Sequence, residues 1–157
     1  DEIISMLDAS TRMDVLNLLV DLKARGLSVL FITHDLSLGY YISERAIILY
    51  RGAVVEMGDT GKIFSNPIHP YTRMLMASVP RLDKKWQEVE GILEATTQQV
   101  LDWQGCVYYD RCNLHERDQE CKTCFPELRQ VEEGHFVACC KKQTEWSVIS
   151  DPIKYHI

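Results

Sequence analysis

A short, almost wholly apolar run, Ser28 to Thr33, constrains the fold of this chain more than any other feature. A run of β-forming residues without polar alternation is typical of a strand that is covered on both faces, as in a parallel sheet. Ahead of it, Ser10 to Arg25 carries apolar side chains at helical spacing, with Ser10 or Thr11 expected to cap the helix and Gly26 to end it. A helix followed by a buried strand predicts an α/β fold.

The elements that follow are predicted from local signals. Asp35 is expected to cap a short helix that runs through Tyr41, and a second helix is expected from Tyr71 to Ser78, where Val79-Pro80 ends it. The predicted strands form two pairs joined by tight turns, 45–50 with 53–57 and 128–131 with 135–139. The character of the sequence changes after Gly58. This change predicts a domain boundary near residue 62, between segments 1–62 and 63–157.

Composition narrows the functional class. The chain has 157 residues, 46% of them hydrophobic and 25% charged, with a formal net charge of −6. This composition is that of a globular protein, and the negative charge argues against a broad nucleic-acid surface or a polybasic membrane anchor. The longest apolar runs fall far short of the roughly 18 residues that span a bilayer, so no transmembrane segment is expected.

Four features of the first 35 residues carry a family resemblance. Asp1-Glu2, the loop Ser5 to Asp8, the helix and apolar strand, and then Ile32 to Asp35 follow one another in the order of the second half of an ABC-transporter ATPase domain. In that family an apolar strand ends in Asp-Glu, a loop of the Ser-Ala-Leu-Asp type follows, and one histidine closes the next strand. The chain therefore resembles the C-terminal part of a P-loop (RecA-like) ABC ATPase domain.

The resemblance assigns a role to each of these residues. Asp1 would hold Mg²⁺ between the nucleotide phosphates, and Glu2 would orient and polarise the water that attacks the γ-phosphoryl group. His34 would contact the γ-phosphate and that water, and Asp8 would act across the interface of an ATPase dimer. The catalytic candidates are thus Glu2 and His34, and the nucleotide-side candidates are Asp1 and Asp8.

The motifs that cradle phosphates do not occur in these residues. The 157 residues contain neither a G-x-x-x-x-G-K-[ST] loop nor a Leu-Ser-Gly-Gly-Gln-like signature. Because Asp1 stands inside a motif, we expect the chain to be a fragment of a longer protein. We expect the fragment alone to be inactive and the parent to be an ATPase.

A second resemblance begins at residue 66. The string Asn66-Pro67-Ile68-His69-Pro70-Tyr71-Thr72 looks like the start of the extension on ATPase subunits of oligopeptide and dipeptide importers. Nickel and some oligosaccharide importers share that branch. The expected architecture is therefore a small Cys-rich extension that follows the end of the ATPase domain.

Six cysteines lie between residues 106 and 140, and without a visible secretory signal they favour metal binding over disulfides. The resemblance places ligands of a [4Fe-4S] cluster at Cys106, Cys112, Cys121 and Cys139, leaving Cys124 and Cys140 as extra thiols. Spacing alone equally allows a tetrahedral Zn²⁺ site formed by Cys106, Cys112, Cys121 and Cys124, in which Cys121 and Cys124 are one half. Buried thiols without a metal remain a third possibility.

The resemblance predicts a function for the parent protein. It would be the ATP-binding subunit of an ABC importer of peptides or related solutes, at the cytoplasmic face of the plasma membrane. Its partners would be a second ATPase subunit, two membrane permeases and, indirectly, an external solute-binding protein. The alternatives are a stand-alone Zn²⁺ or Fe–S interaction module without ATPase activity, and a truncated product without function.

Overall fold

An antiparallel sheet of four strands organises the part of the chain that the computed structural model describes, residues 7–79, 105–113, 119–123 and 125–140. Its spatial order is β1-β2-β4-β3, so the last strand in the sequence pairs with a strand from the first half. The strands are β1 Arg45–Tyr50, β2 Ala53–Asp59, β3 Leu128–Glu132 and β4 His135–Ala138. Both hairpins confirm the predicted strand pairs.

The described helices are short apart from the first. They are α1 Ala9–Ala24, α2 Leu36–Ile42, α3 Thr60–Ser65, α4 Pro70–Ser78 and α5 Gln119–Thr123, with a 3₁₀ turn at Tyr109–Arg111. The predictions of α1, α2 and α4 are confirmed, and Gly26 ends the first of them with a φ of 93°. Among the described residues, no helix is both long and apolar enough to cross a bilayer.

The cap of α1 differs from the prediction. The residue at its N-terminus is Asp8, whose carboxylate accepts from the backbone N–H groups of Ser10 and Thr11 at 3.1 and 3.0 Å. Ser10 and Thr11 donate to this cap instead of providing it. Their hydroxyl groups also donate to Asp8, so the whole first turn is organised around one carboxylate. The α2 cap is as predicted, with Asp35 accepting from Ser37 and Leu38.

The predicted strand at 28–33 is wrong for the described chain, since residues 27–33 belong to no strand there. A parallel strand exists only through ladder hydrogen bonds to its neighbours, and the described residues place none beside it. Leu30 is 83% exposed and Ile32 50% exposed in consequence.

Two apolar clusters hold the described residues together. The smaller one joins α1 to α2 through Leu16 and Ile42. The larger one lies under the sheet and draws on both sides of residue 62; its buried members are Ile48, Tyr50, Val55, Ile63, Phe64, Met76, Val107 and Tyr108. Helix α3 also runs across residue 62. The described parts of segments 1–62 and 63–157 therefore share this sheet and the larger cluster.

Candidate functional site

Only part of the predicted nucleotide site lies in the described residues. Asp1 and Glu2 lie outside them, while His34 is exposed just ahead of the α2 cap. Asp8 is described, and its carboxylate is engaged with the first turn of α1. The hydroxyl group of Ser10 and the N–H and hydroxyl of Thr11 hold the pKa of Asp8 well below its usual range. Asp8 is therefore a helix cap whatever further contacts it makes.

A buried carboxylate on β2 forms a second polar centre, which we call the Glu56 junction (Glu56, Ile68, His69 and His135). Glu56 is 0% exposed, and its Oε1 accepts from the backbone N–H of Ile68 at 2.9 Å. Its Oε2 accepts from the backbone N–H of His69, also at 2.9 Å. A buried carboxylate is tolerated only with such partners. The junction thus holds the loop that leads into α4 against the middle of the sheet.

His135, the first residue of β4, completes the junction. Its Nε2 lies 2.7 Å from Oε1 of Glu56, and its Nδ1 lies 3.1 Å from Oε1 of Glu132. Burial lowers the pKa of His135, but hydrogen bonds and charge from Glu56 and Glu132 outweigh it and leave that pKa above its ordinary value. His135 therefore lies in the second hairpin with both of its ring nitrogens engaged.

His69 plays the opposite electrostatic role. Its Nδ1 accepts from the backbone N–H of Tyr71 at 3.1 Å, so the imidazole caps α4 through an unprotonated nitrogen. Its burial, with 1% exposed, lowers its pKa to about 4, although the charge of Glu56 works against that shift. His69 is therefore a neutral cap at physiological pH.

Aromatic rings connect the junction to the cysteine-bearing segment. Tyr108 lies with its ring centroid 5.1 Å from that of Tyr50, 5.6 Å from that of Tyr71 and 5.6 Å from that of His69. Edge-to-face and tilted pairs at these distances are favourable beyond the area that they bury. Because Tyr108 stands between Cys106 and Cys112, this packing fixes both cysteines near α4.

Five cysteines are described, and we call them the thiol site: Cys106, Cys112, Cys121, Cys139 and Cys140. The backbone N–H of Cys106 donates to the carbonyl oxygen of Cys121 at 2.8 Å. The neighbouring Gly105 lies so close to α5 that a Cβ would stand 2.2 Å from the carbonyl oxygen of Lys122. The thiol site is thus assembled by close backbone contact between two segments.

The thiols also affect one another electrostatically. Burial raises the pKa of Cys106, and Cys112 and Cys121 add to that rise. Burial raises the pKa of Cys140 to about 12, with contributions from Cys121, Cys106 and Cys139. The pKa values of Cys106 and Cys140 thus respond to cysteines in other parts of the sequence. Cys124 lies outside the described residues.

No metal-binding geometry is formed by the described side chains. Within residues 7–79, 105–113, 119–123 and 125–140, no three His, Cys, Asp or Glu side chains are arranged to hold a metal ion. The predicted ligands Cys106, Cys112, Cys121 and Cys139 are nevertheless all members of the thiol site. Thiolate is the donor that both Fe–S clusters and structural Zn²⁺ use, so the chemistry of the donors fits either group.

Glu56 was not among the residues predicted to be functional. The sequence nevertheless marks it, because it is a charged residue within the otherwise apolar strand Val54-Val55-Glu56-Met57. A charged residue in such a strand needs a buried partner. The partner His135 is 79 positions away, and no local pattern connects the two.

Comparisons with known proteins agree on one family. Residues 55–121 match the family model described as "Oligopeptide/dipeptide transporter, C-terminal region". The dipeptide transport ATP-binding protein DppF of Haemophilus influenzae is 38% identical over 141 residues, which cover 88% of this chain and 42% of that protein. A Brucella ovis protein named for peptide import and ATP binding is 39% identical over 143 residues, 90% of this chain and 44% of that protein.

A third relative has the same kind of name. The oligopeptide transport ATP-binding protein OppF of Haemophilus influenzae is 37% identical over 145 residues, which cover 90% of this chain and 43% of that protein. The chain thus spans less than half the length of the curated relatives that it matches. All three names describe ATP-binding proteins of transport systems, so the comparisons give no support to a stand-alone metal-binding module.

Proposed function

We propose that this chain, whose residues 55–121 match the model of the oligopeptide/dipeptide transporter C-terminal region, is the C-terminal part of the ATP-binding subunit of an ABC importer of peptides. The similarity over nine-tenths of the chain to the Brucella ovis protein carries this proposal. Residues 1–62 would belong to the ATPase domain and residues 63–157 to the extension. The complete subunit would couple ATP hydrolysis to solute uptake at the cytoplasmic face of the plasma membrane.

The proposed nucleotide site uses the residues singled out in the sequence. Asp1 would bind the Mg²⁺ that accompanies ATP, and Glu2 would orient the attacking water and accept its proton. His34 would donate a hydrogen bond towards the γ-phosphate. Bound Mg²⁺ and ATP supply the reacting phosphoryl group and the charge that neutralises it. Asp8, as the cap of α1, would present the loop before that helix to the second ATPase subunit.

The proposed partners follow from the same premise. The subunit would pair with a second ATPase subunit and dock on two permeases, which receive the solute from an external binding protein. The conformation of the ATP-bound pair would then be transmitted to the permeases.

The thiol site supports a finer proposal for the extension. We propose that Cys106, Cys112, Cys121 and Cys139 hold a [4Fe-4S] cluster, with Zn²⁺ as the alternative metal. The 2.8 Å backbone hydrogen bond between Cys106 and Cys121 and the chemistry of thiolate donors support this proposal. Metal binding of this kind contributes about 10–16 kcal/mol to folding in small zinc domains. The extension would gain most of its stability in this way.

The nucleotide proposal is tested in the complete subunit. Glu2→Gln is expected to retain ATP binding and lose nearly all hydrolysis, because the amide cannot accept a proton. Asp14→Asn makes the same chemical change on the exposed surface of α1 and should hydrolyse ATP like the parent. Equal hydrolysis in the two variants would refute the role of Glu2.

The metal proposal needs a separate measurement. The chain is purified without oxygen and its iron, sulfide and zinc are quantified together with the visible absorption spectrum. Brown protein with about four irons per chain is expected, with loss of iron in Cys106→Ser and Cys139→Ser. Colourless protein with one zinc would replace the cluster by Zn²⁺, and full metal content in both variants would remove these two cysteines as ligands.

A further inference from the structure

The Glu56 junction lies where three segments of the chain meet. Glu56 is in β2, Ile68 and His69 precede α4, and His135 opens β4. In the sheet, Glu56 pairs with Val137 and Gly58 pairs with His135. The carboxylate of Glu56 thus accepts hydrogen bonds from the loop before α4 and from β4. The β2–β4 backbone ladder alone does not connect these two segments.

Removing the carboxylate of Glu56 would leave its buried hydrogen-bond partners without a replacement. Glu56 and His135 are both 0% exposed, so water cannot replace a lost partner without opening the structure. A single buried charge or N–H that has lost its partner is far more costly than an exposed one. Glu132 contacts the other nitrogen of the same imidazole, but its side chain is 46% exposed, so water can take its place. The two carboxylates therefore contact the same imidazole but differ in burial, and Glu56 also accepts from the backbone N–H groups of Ile68 and His69.

The junction leads directly to two of the thiols. Strand β4 ends at Ala138, so Cys139 and Cys140 follow the last paired residue. Arg73 Nε donates to the carbonyl oxygen of Pro67 at 2.9 Å, which holds the guanidinium beside the loop that Glu56 binds.

We propose that Glu56 and His135 are positioning residues of the thiol site: their buried hydrogen bond seats β4 on β2 and so fixes the position of Cys139 and Cys140, which follow β4 directly. The short β2–β4 ladder pairs only three positions of each strand, Glu56 to Gly58 with His135 to Val137. Such a ladder is weak without side-chain support. The Glu56–His135 contact provides that support at its buried end.

The inference rests on the proposed thiol site for its consequence, and its test does not depend on any metal. In the metal-free chain, Cys139 and Cys140 are alkylated with iodoacetamide and quantified by peptide mass spectrometry, while amide hydrogen exchange is followed over residues 135–138. Glu56→Gln is expected to raise both rates by about tenfold, through more frequent local opening of β4. Glu132→Gln is the matched control, and its rates should stay within about twofold of the parent.

A second pair of variants isolates the hydrogen bond itself. His135→Gln keeps a side-chain N–H donor that reaches Glu56, and His135→Leu does not. We expect protection of Cys139 and Cys140 to be largely retained in His135→Gln and lost in His135→Leu. A variant that exposes α1 as much as β4 has unfolded globally, which would overturn the local role proposed for the contact.

The proposal is refuted if Glu56→Gln and Glu132→Gln expose the thiols equally, or if His135→Leu protects them as well as His135→Gln. Metal content is measured independently. Absence of metal in the parent would remove the cluster proposal and leave the positioning result intact. Full metal content, together with alkylation that is unchanged in Glu56→Gln, would leave the cluster proposal intact and remove the positioning role of Glu56.

Discussion

Gly58 of β2 packs directly against the carbonyl oxygen of Gly134: a Cβ on Gly58 would stand 2.2 Å from that oxygen and 2.9 Å from Cα of His135. Both contacts are to backbone, which cannot rotate away as a side chain does. The backbone N–H of Asp59 also donates to the same carbonyl oxygen at 3.0 Å. The approach of the two strands at this point therefore depends on the absence of a side chain.

Gly58→Ala is expected to destabilise the chain by about 1–3 kcal/mol, the usual range for an added methyl group that forces backbone to move. The matched control is Gly39→Ala in α2, where a Cβ would meet only Thr33 Cγ2 at 3.7 Å, an ordinary contact. Alanine favours helix over glycine by about 1 kcal/mol, so this control should be neutral or more stable. Urea unfolding measures both, and equal midpoints would contradict the close approach.

The stability of the folded chain is expected to depend on the ring of Tyr108 and not on its hydroxyl group. Tyr108 is 4% exposed and its ring contacts three other rings, while its hydroxyl makes a weak contact with Met74 Sδ at 3.6 Å and no other within the described residues. Tyr108→Ala is expected to cost about 3–5 kcal/mol, as for other buried aromatic truncations. Tyr108→Phe should differ from the parent by less than about 1 kcal/mol. A large loss in Tyr108→Phe, measured by urea unfolding, would show that the hydroxyl group matters.

The buried imidazole of His69 predicts a specific acid response. Its folded pKa of about 4 lies below the ordinary 6.5, so the unfolded chain binds the proton first. Stability from the neutral cap is fully present above pH 6.5 and falls as the pH drops towards 4. Near pH 5 the loss is about 2 kcal/mol.

His69→Asn removes this titration and keeps a side-chain oxygen that can cap α4. Urea unfolding at pH 7 and pH 5 should therefore show a smaller acid loss in His69→Asn than in the parent. His135 titrates in the opposite sense: its raised pKa gives stability that is present below the ordinary 6.5 and is lost as the pH rises through the folded value. That effect is common to both proteins, so parallel pH curves would contradict the role of His69.

Cys140 should be an unreactive thiol in the folded chain without metal. A pKa of about 12, against an ordinary value of 9.0, lowers its thiolate fraction at neutral pH by about a thousandfold. Because thiolate is the nucleophile, alkylation of Cys140 should be very slow in buffer and should accelerate strongly in 8 M urea. Similar rates in the two solvents, read from peptide fragments that separate Cys139 from Cys140, would contradict the raised pKa.

The elements that the sequence predicted correctly are those with local signals. Asp35 caps α2, Arg51 and Gly52 make the turn of the first hairpin with φ values of 50° and 81°, and Gly134 makes that of the second with a φ of 71°. Each is fixed by residues within a few positions.

The features that sequence analysis missed depend on distant partners. Residues 28–33 have the composition of a buried strand, but strand formation requires neighbours that the described residues do not supply. The pairing of β2 with β4 and the bond from Glu56 to His135 cross most of the chain, and neither leaves a periodic pattern. At the site, the sequence identified the five described cysteines. It did not identify Glu56, whose carboxylate contacts the first residue of β4. Asp8 was assigned by resemblance, and its capping role became clear only from the structure.

The strand order has a consequence for synthesis of the chain on the ribosome. β1 and β2 are complete once residue 59 has been made, but β4, which covers the other edge of β2, begins at residue 135. At about 5–20 residues per second, β2 has an open edge for several seconds after it emerges. An unpaired edge is a template for other chains. The first hairpin is therefore exposed to misassembly during translation until β4, the last strand among the described residues, has been made.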